Sequence, residues 1–242
     1  MTEPTELVPN PGKKLVVTVD GVRWARYPVR THLVTEHDDL EDVLRRYVVA
    51  HVQPGDLVFM SERLVATMQG RAYPIDEIEV SPLANFLVKR VYKNPYGIGI
   101  GSPWTMELAI REAGVPRILL ASAVAAVTKP FGIRGLFYKV AGQTVASIDG
   151  PADYVIPPYN RYAKLGPKDP RAEAERAKAV TGCDTVIVDA NDLGVAVLGK
   201  SSKQLRDPVL RAIFKDNPLG QTGQQTPIGI VRRLGPPPSM GG

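Results

Sequence analysis

Two aspartates stand where chemistry is possible. Asp149 follows the run Val145-Ala146-Ser147-Ile148, and Asp189 follows Val186-Ile187-Val188, with Asn191 and Asp192 just beyond. A carboxylate at the end of a buried strand is held on a rigid element and exposed at the sheet edge. Two such ends brought together make hard oxygen ligands for Mg2+ or Mn2+. Such an ion neutralises nucleotide phosphate charge during transfer. Asp149 and Asp189 are therefore the candidate catalytic pair, and Asp149, Asp189, Asn191 and Asp192 the candidate metal ligands. Each aspartate also has a plainer reading: Asp149-Gly150 is a good turn pair, and Asp189 to Asp192 suits a loop.

A second group of residues could hold anions. Gly194-Val-Ala-Val-Leu-Gly199-Lys200-Ser201 satisfies the P-loop pattern G-x-x-x-x-G-K-[ST] in full. Its middle residues favour a buried strand over a loop wrapped around phosphates. Asp189–Leu193 also separates it from the preceding apolar run, so Lys200 is kept as an anion binder of another geometry. Asn94-Pro-Tyr-Gly97-Ile-Gly99-Ile-Gly101 leads into a helix start, where glycines and backbone N–H groups favour a ligand or an open loop equally. Lys129 and Arg134 lie in one glycine- and proline-rich loop, Lys164 and Lys168 in another. Such loops suit phosphates or carboxylates as well as plain solvation.

The elements that must position these groups are short. The chain has 242 residues, 44% hydrophobic and 23% charged, enough for a sizeable core. Its 22 Gly and 22 Pro imply many turns and argue against a plain helical bundle. Strands are expected at Leu15–Val19, Leu57–Met60, Thr185–Val188, Val195–Leu198 and Ile228–Val231. Helices are expected at Asp38–Val49 (capped by Thr35 or Asp38), Ser61–Thr67 as helix or turn, Pro82–Tyr92, Ser102-capped Pro103 to Gly114, Pro170–Thr181 and Pro208–Phe214. Arg117–Val127 reads equally as strand or helix, and Gly135–Val140 with Thr144–Ile148 reads as a hairpin around Gly142. The order of these segments argues α+β rather than regular βαβ winding. Residues 1–235 read as one catalytic domain, with 236–242 a disordered tail.

Several classes are disfavoured. The net charge of +5 and pI near 9.3 come from scattered Lys and Arg, not from a basic cluster interleaved with aromatics, so nucleic acid is not the expected partner. The longest apolar run, Ile118–Val127, is too short to span a bilayer, and the N-terminus has no apolar signal core, so no membrane is expected. The lone Cys183 suits a reducing, cytoplasmic setting, and His32, His37 and His51 show no zinc spacing.

Taken in order, these segments resemble the coenzyme F420-0:L-glutamate ligase family, as a divergent member. Asp38-Asp39-Leu40, Pro54-Gly55-Asp56-Leu57-Val58, Ser61, Gln69-Gly70-Arg71 and Glu107-Leu-Ala-Ile-Arg-Glu-Ala113 match motifs of its first part. Ala146-Ser-Ile-Asp149 and Val188-Asp189-Ala-Asn191 match its two metal-binding aspartate motifs. Leu219-Gly220-Gln221 and Pro227–Arg232 match its nucleotide-contacting region. The resemblance implies a two-lobed α+β fold in an intertwined homodimer. It implies a ligase using GTP (or ATP) with Mg2+ or Mn2+ to join L-glutamate to a carboxylate acceptor, F420-0 or a related compound, through an acyl phosphate. It places the metal on Asp149 and Asp189, and Ser61, Gln221 and Arg232 near the nucleotide. Lys129, Arg134 and Lys200 are added as further anion binders. Two other readings stand beside it: a non-enzymatic nucleotide- or deazaflavin-binding protein, and a P-loop NTPase.

Overall fold

A computed structural model describes residues 7–90, 99–133, 135–191 and 194–235. The chain divides into two compact units, Met1–Met68 with Asp169–Gly242, and Gln69–Lys168. The expected tail, 236–242, lies outside the described residues.

The first unit is built on a six-stranded mixed sheet. Its strands are β1 (Val16–Val19), β2 (Val22–Val29), β3 (Leu57–Ser61), β6 (Asp184–Asn191), β7 (Gly194–Lys200) and β8 (Ile228–Gly235), in the order β1-β2-β8-β3-β6-β7. Every neighbouring pair is antiparallel except β3 and β6, which run parallel. The near-continuous apolar run of β3 reflects its place between β8 and β6, where both faces are covered.

Alternation along the strands sorts the apolar residues into two cores. Val58, Met60, Ile187, Ile228 and Ile230 face Leu40, Val43 and Leu44 of α1 (Leu40–Tyr47), Leu64 and Val65 of α2 (Glu62–Met68) and Ala174 and Ala177 of α8 (Pro170–Thr181). Phe59, Val186, Val188 and Val231 face Leu210 and Ile213 of α9 (Asp207–Ile213), with Phe214 and Leu219 just beyond it. There Phe59 and Phe214 stack at 3.8 Å between ring centroids.

Strand β2 is not evident in the sequence because it carries Arg23, Arg26 and Pro28. Arg26 is fully buried. Its Nη1 donates to the Ile213 carbonyl at 2.8 Å and to Asp216, and its Nη2 to Asp216 Oδ2 at 3.0 Å, while its buried Nε has no hydrogen-bond partner among the described residues. The cap of α1 also differs from expectation. Asp38 is already engaged by the Thr35 N–H and by His32 (2.7 and 2.8 Å), so Asp39 accepts the Glu41 N–H at 2.7 Å instead.

The second unit holds the short ladder of β4 (Ala72–Pro74) and β5 (Tyr162–Lys164), with α3 (Pro82–Val88), α4 (Pro103–Ala113), α5 (Val115–Thr128), α6 (Leu136–Ala141) and α7 (Gln143–Ala146). Helix α4 starts and stops where its sequence says. Ser102 and Thr105 form a reciprocal cap, Pro103 opens the first turn, and Gly114 at φ 82 ends it. Arg117–Val127 resolves as helix, within α5.

The expected hairpin around Gly142 is two short helices instead. Gly142, at φ 111, separates them, and Ala141 at the end of α6, Val145 in α7 and Ile148 just beyond it are all buried. They close on Met106, Leu108, Ile110 and Ile118 in one core. Of the glycine-rich loop Asn94–Gly101, residues 94–98 lie outside the described residues, and Gly99, Ile100 and Gly101 are described. Gln69 and Lys168, the first and last residues of this unit, are bonded to each other: the Lys168 N–H donates to Gln69 Oε1 at 2.7 Å, and Gln69 Nε2 donates to the Lys168 carbonyl at 3.0 Å.

Candidate functional site

The loss of the hairpin changes how Asp149 is presented. It follows the helical turn α7, and its main chain forms an isolated antiparallel bridge with Lys164. The Asp149 N–H donates to the Lys164 carbonyl at 3.1 Å, and the Lys164 N–H returns to the Asp149 carbonyl at 2.9 Å. This bridge brings the side chains together: Lys164 Nζ lies 3.1 Å from Asp149 Oδ2, with the ammonium side chain 5% exposed and the carboxylate side chain 29% exposed. The same ammonium points at the Ser147 carbonyl at 3.5 Å.

Two glycines let the chain close around this point. Gly99 donates its N–H to the Ile148 carbonyl at 3.1 Å, and a Cβ there would meet Tyr138 Oη at 2.7 Å. A Cβ on Gly166 would meet Ser147 Cβ at 2.7 Å. Arg71 braces the following loop. Its Nε donates to the Gly166 carbonyl at 2.6 Å, and its Nη2 lies 2.9 Å from Glu112.

In the first unit, Asp189 lies within β6, ahead of the strand's last residue, Asn191, rather than beyond the strand. Asn191 Nδ2 donates to Asp189 Oδ1 at 3.2 Å. Set at alternate positions on one strand, both side chains leave the same face. A carboxylate and an amide oxygen are donor types a hard divalent cation takes, but here the amide turns its N–H toward the carboxylate, so its oxygen must swing round for the two to hold one ion. Asp149 fits less well, because a buried ammonium already stands at its carboxylate. Among the described residues no three His, Cys, Asp or Glu side chains gather as a metal cluster. Asp192 and Arg134 lie outside the described residues.

Ser61 ends β3, with its Cα partnered to Val188 of β6, the residue before Asp189. Ser61 Oγ accepts the Leu64 N–H at 3.2 Å in the first turn of α2, and the Ser61 N–H donates to the Pro227 carbonyl at 2.9 Å. Gln221 sits in the loop between α9 and β8. Lys129 is exposed at the C-terminal end of α5. Arg232 is engaged within the fold: Nε donates to Asp56 Oδ1 at 2.9 Å, and Nη2 to Asp56 Oδ2 at 2.7 Å and to the His51 carbonyl at 3.1 Å. Nothing in the spacing of Asp56 and Arg232 announces that pair.

The P-loop pattern does not form a phosphate loop. Gly194–Lys200 is strand β7, paired along its length with β6. Gly199 is needed for packing, since a Cβ there would fall 2.3 Å from the Pro170 carbonyl group at the start of α8. Lys200 Nζ donates to the Leu205 carbonyl at 2.7 Å and to Asp207 Oδ1 at 2.5 Å. Cys183 is buried, and burial, reinforced by Asp56 and Asp184, pushes its thiol up, away from a reactive thiolate. No described helix is long and apolar enough to cross a membrane.

The described chain is a mixed α+β protein with one carboxylate on a sheet strand and another beside a buried ammonium. Residues 28–189 match the family model described as F420-0:Gamma-glutamyl ligase, and the chain belongs to that family. A comparison with curated proteins finds no match.

Proposed function

We propose that this protein is a nucleotide-dependent gamma-glutamyl ligase. It joins the amine of L-glutamate to a carboxylate acceptor, F420-0 or a related compound. The acceptor carboxylate attacks the γ-phosphorus of GTP or ATP and releases the nucleoside diphosphate. The glutamate amine then displaces phosphate from the acyl phosphate and loses its proton. The observation that carries this reading is the family match over residues 28–189, which covers Asp149 and ends at Asp189.

In this reading Asp189 and Asn191 hold the divalent cation, whose chemistry is to neutralise phosphate charge. Asp149 is the second acidic group of the reaction. Ser61, Gln221 and Lys129 are nucleotide or substrate contacts, and the active form is a homodimer.

The test is phosphate release by the purified chain with GTP or ATP, Mg2+ or Mn2+, L-glutamate and F420-0. Release that requires both glutamate and acceptor, and that is lost in Asp149→Asn and Asp189→Asn, is the expected result. Full activity in either variant would sink the assignment of that residue. Nucleotide binding without turnover would favour a binding protein. Light scattering after size exclusion tests the dimer, with twice the 26.3 kDa chain mass expected.

A further inference from the structure

We infer that Lys164 is the built-in cation of the Asp149 loop, so that Asp149 is a carboxylate held by an ammonium and not a ligand of the divalent metal. The inference rests on the ligase reading only for the metal's presence in the reaction.

Its basis is geometric. Lys164 Nζ lies 3.1 Å from Asp149 Oδ2 and 3.5 Å from the Ser147 carbonyl oxygen. These are hard oxygen donors, the kind a divalent ion takes. The ammonium is not a passing surface contact. Its side chain is 5% exposed, and the two main-chain bonds between residues 149 and 164 fix both Cα positions against each other. Arg71 holds the next turn of the chain at Gly166. A divalent cation brought to Asp149 would stand beside a buried like charge, in a setting where solvent screens repulsion poorly. Lys164 is thus a positioning residue: it aims the Asp149 carboxylate and keeps metal off it.

The experiment is Mn2+ binding to the full chain, read from the spin resonance signal of free Mn2+, so that no turnover is needed. Wild type is compared with Asp149→Asn, Lys164→Met, the double variant and Asp189→Asn, each checked for folding by circular dichroism. Asp149→Asn should leave the wild-type Mn2+ affinity within about twofold, because the carboxylate is answered by the ammonium. Lys164→Met should gain Mn2+ affinity or an added site by about tenfold or more, and the double variant should lose that gain.

A tenfold weakening in Asp149→Asn would overturn the inference, and so would a folded Lys164→Met that binds no more Mn2+ than wild type. If Lys164→Met does not fold, the Asp149→Asn comparison decides alone. Failure of the ligase reading shows separately, as Mn2+ binding indifferent to Asp189→Asn or as absent glutamate-dependent phosphate release.

Discussion

Replacing Arg232 by Met should unfold the first unit far more readily than a surface substitution would. The guanidinium makes two parallel bonds to Asp56, at 2.9 and 2.7 Å, and a third to the His51 carbonyl at 3.1 Å. Asp56 is 2% exposed in its side chain and Arg232 21%. Without Arg232 the buried carboxylate keeps the Gln53 N–H, at 2.8 Å, as a donor but loses its countercharge. Breaking a buried pair by removing one partner costs about 3–5 kcal/mol. Because one edge of Arg232 meets solvent, the lower end applies, about 3 kcal/mol. For a chain of this size that corresponds to a fall of about 6–12 °C in melting temperature. The assay is urea unfolding followed by tryptophan fluorescence. Trp24 reports on the first unit and Trp104 on the second, so a Trp104→Phe background isolates the signal. A loss below about 1 kcal/mol, or no coupling between Arg232→Met and Asp56→Asn in a double-mutant cycle, would refute the reasoning. Nucleotide affinity, measured where the variant is still folded, should change by less than about threefold, since the guanidinium's bonds are spent inside the fold.

Three further outcomes are expected. Gly199→Ala should cost about 3 kcal/mol or more, because its Cβ meets backbone atoms of Pro170 at 2.3 Å that no rotamer change can move; thermal melting checks it. Acid unfolding should depend on Asp216. Its bond to Arg26 holds the folded carboxyl below the usual range. Its stabilisation is therefore present above an unfolded value of about 3.9 and is lost as pH falls through the lower folded value, so Asp216→Asn should flatten the acid limb of a stability–pH curve. Lys200→Met should leave nucleotide affinity unchanged in equilibrium binding, because the lysine caps Leu205 and Asp207; abolished binding would restore the phosphate-loop reading.

What is legible in the sequence is what is decided locally. The short apolar runs within Val16–Val19, Leu57–Ser61 and Asp184–Asn191 become strands because runs of that length, bounded by turn residues, suit a buried sheet. Ser102, Pro103 and Gly114 set the bounds of α4 by capping chemistry. The segment around Gly142 misleads because a glycine between apolar runs serves a hairpin turn and a helix break equally well. What decides is tertiary: Ala141, Val145 and Ile148, on both sides of the Gly142 break, all reach a single core.

The site is legible only in its residue types. That Asp149 meets Lys164, across 15 positions of sequence, depends on the β5 strand reaching back to it, and a three-residue strand leaves almost no periodicity to read. Arg26 with Asp216 and Asp56 with Arg232 are joined by sheet order, across 190 and 176 positions. Tertiary pairing of that kind has no local signature.

The paired bonds between Gln69 and Lys168 have a consequence for assembly of the molecule. They tie the first and last residues of the second unit together, so once that unit has folded it acts on the rest of the chain as a short staple. Strand β3 must find β6 in parallel register across this interruption. With residues 69–168 still unfolded, closing the gap from Ser61 to Asp184 spans about 120 residues; with them folded, the effective gap is about 20, which lowers the loop-closure cost by about 1.5 kcal/mol. That is roughly a tenfold gain in the chance of encounter. The second unit is contiguous and is fully synthesised before β6, whereas the central sheet waits for β8. An inserted unit with neighbouring ends thus makes the long-range parallel pairing of the larger unit close to a local event.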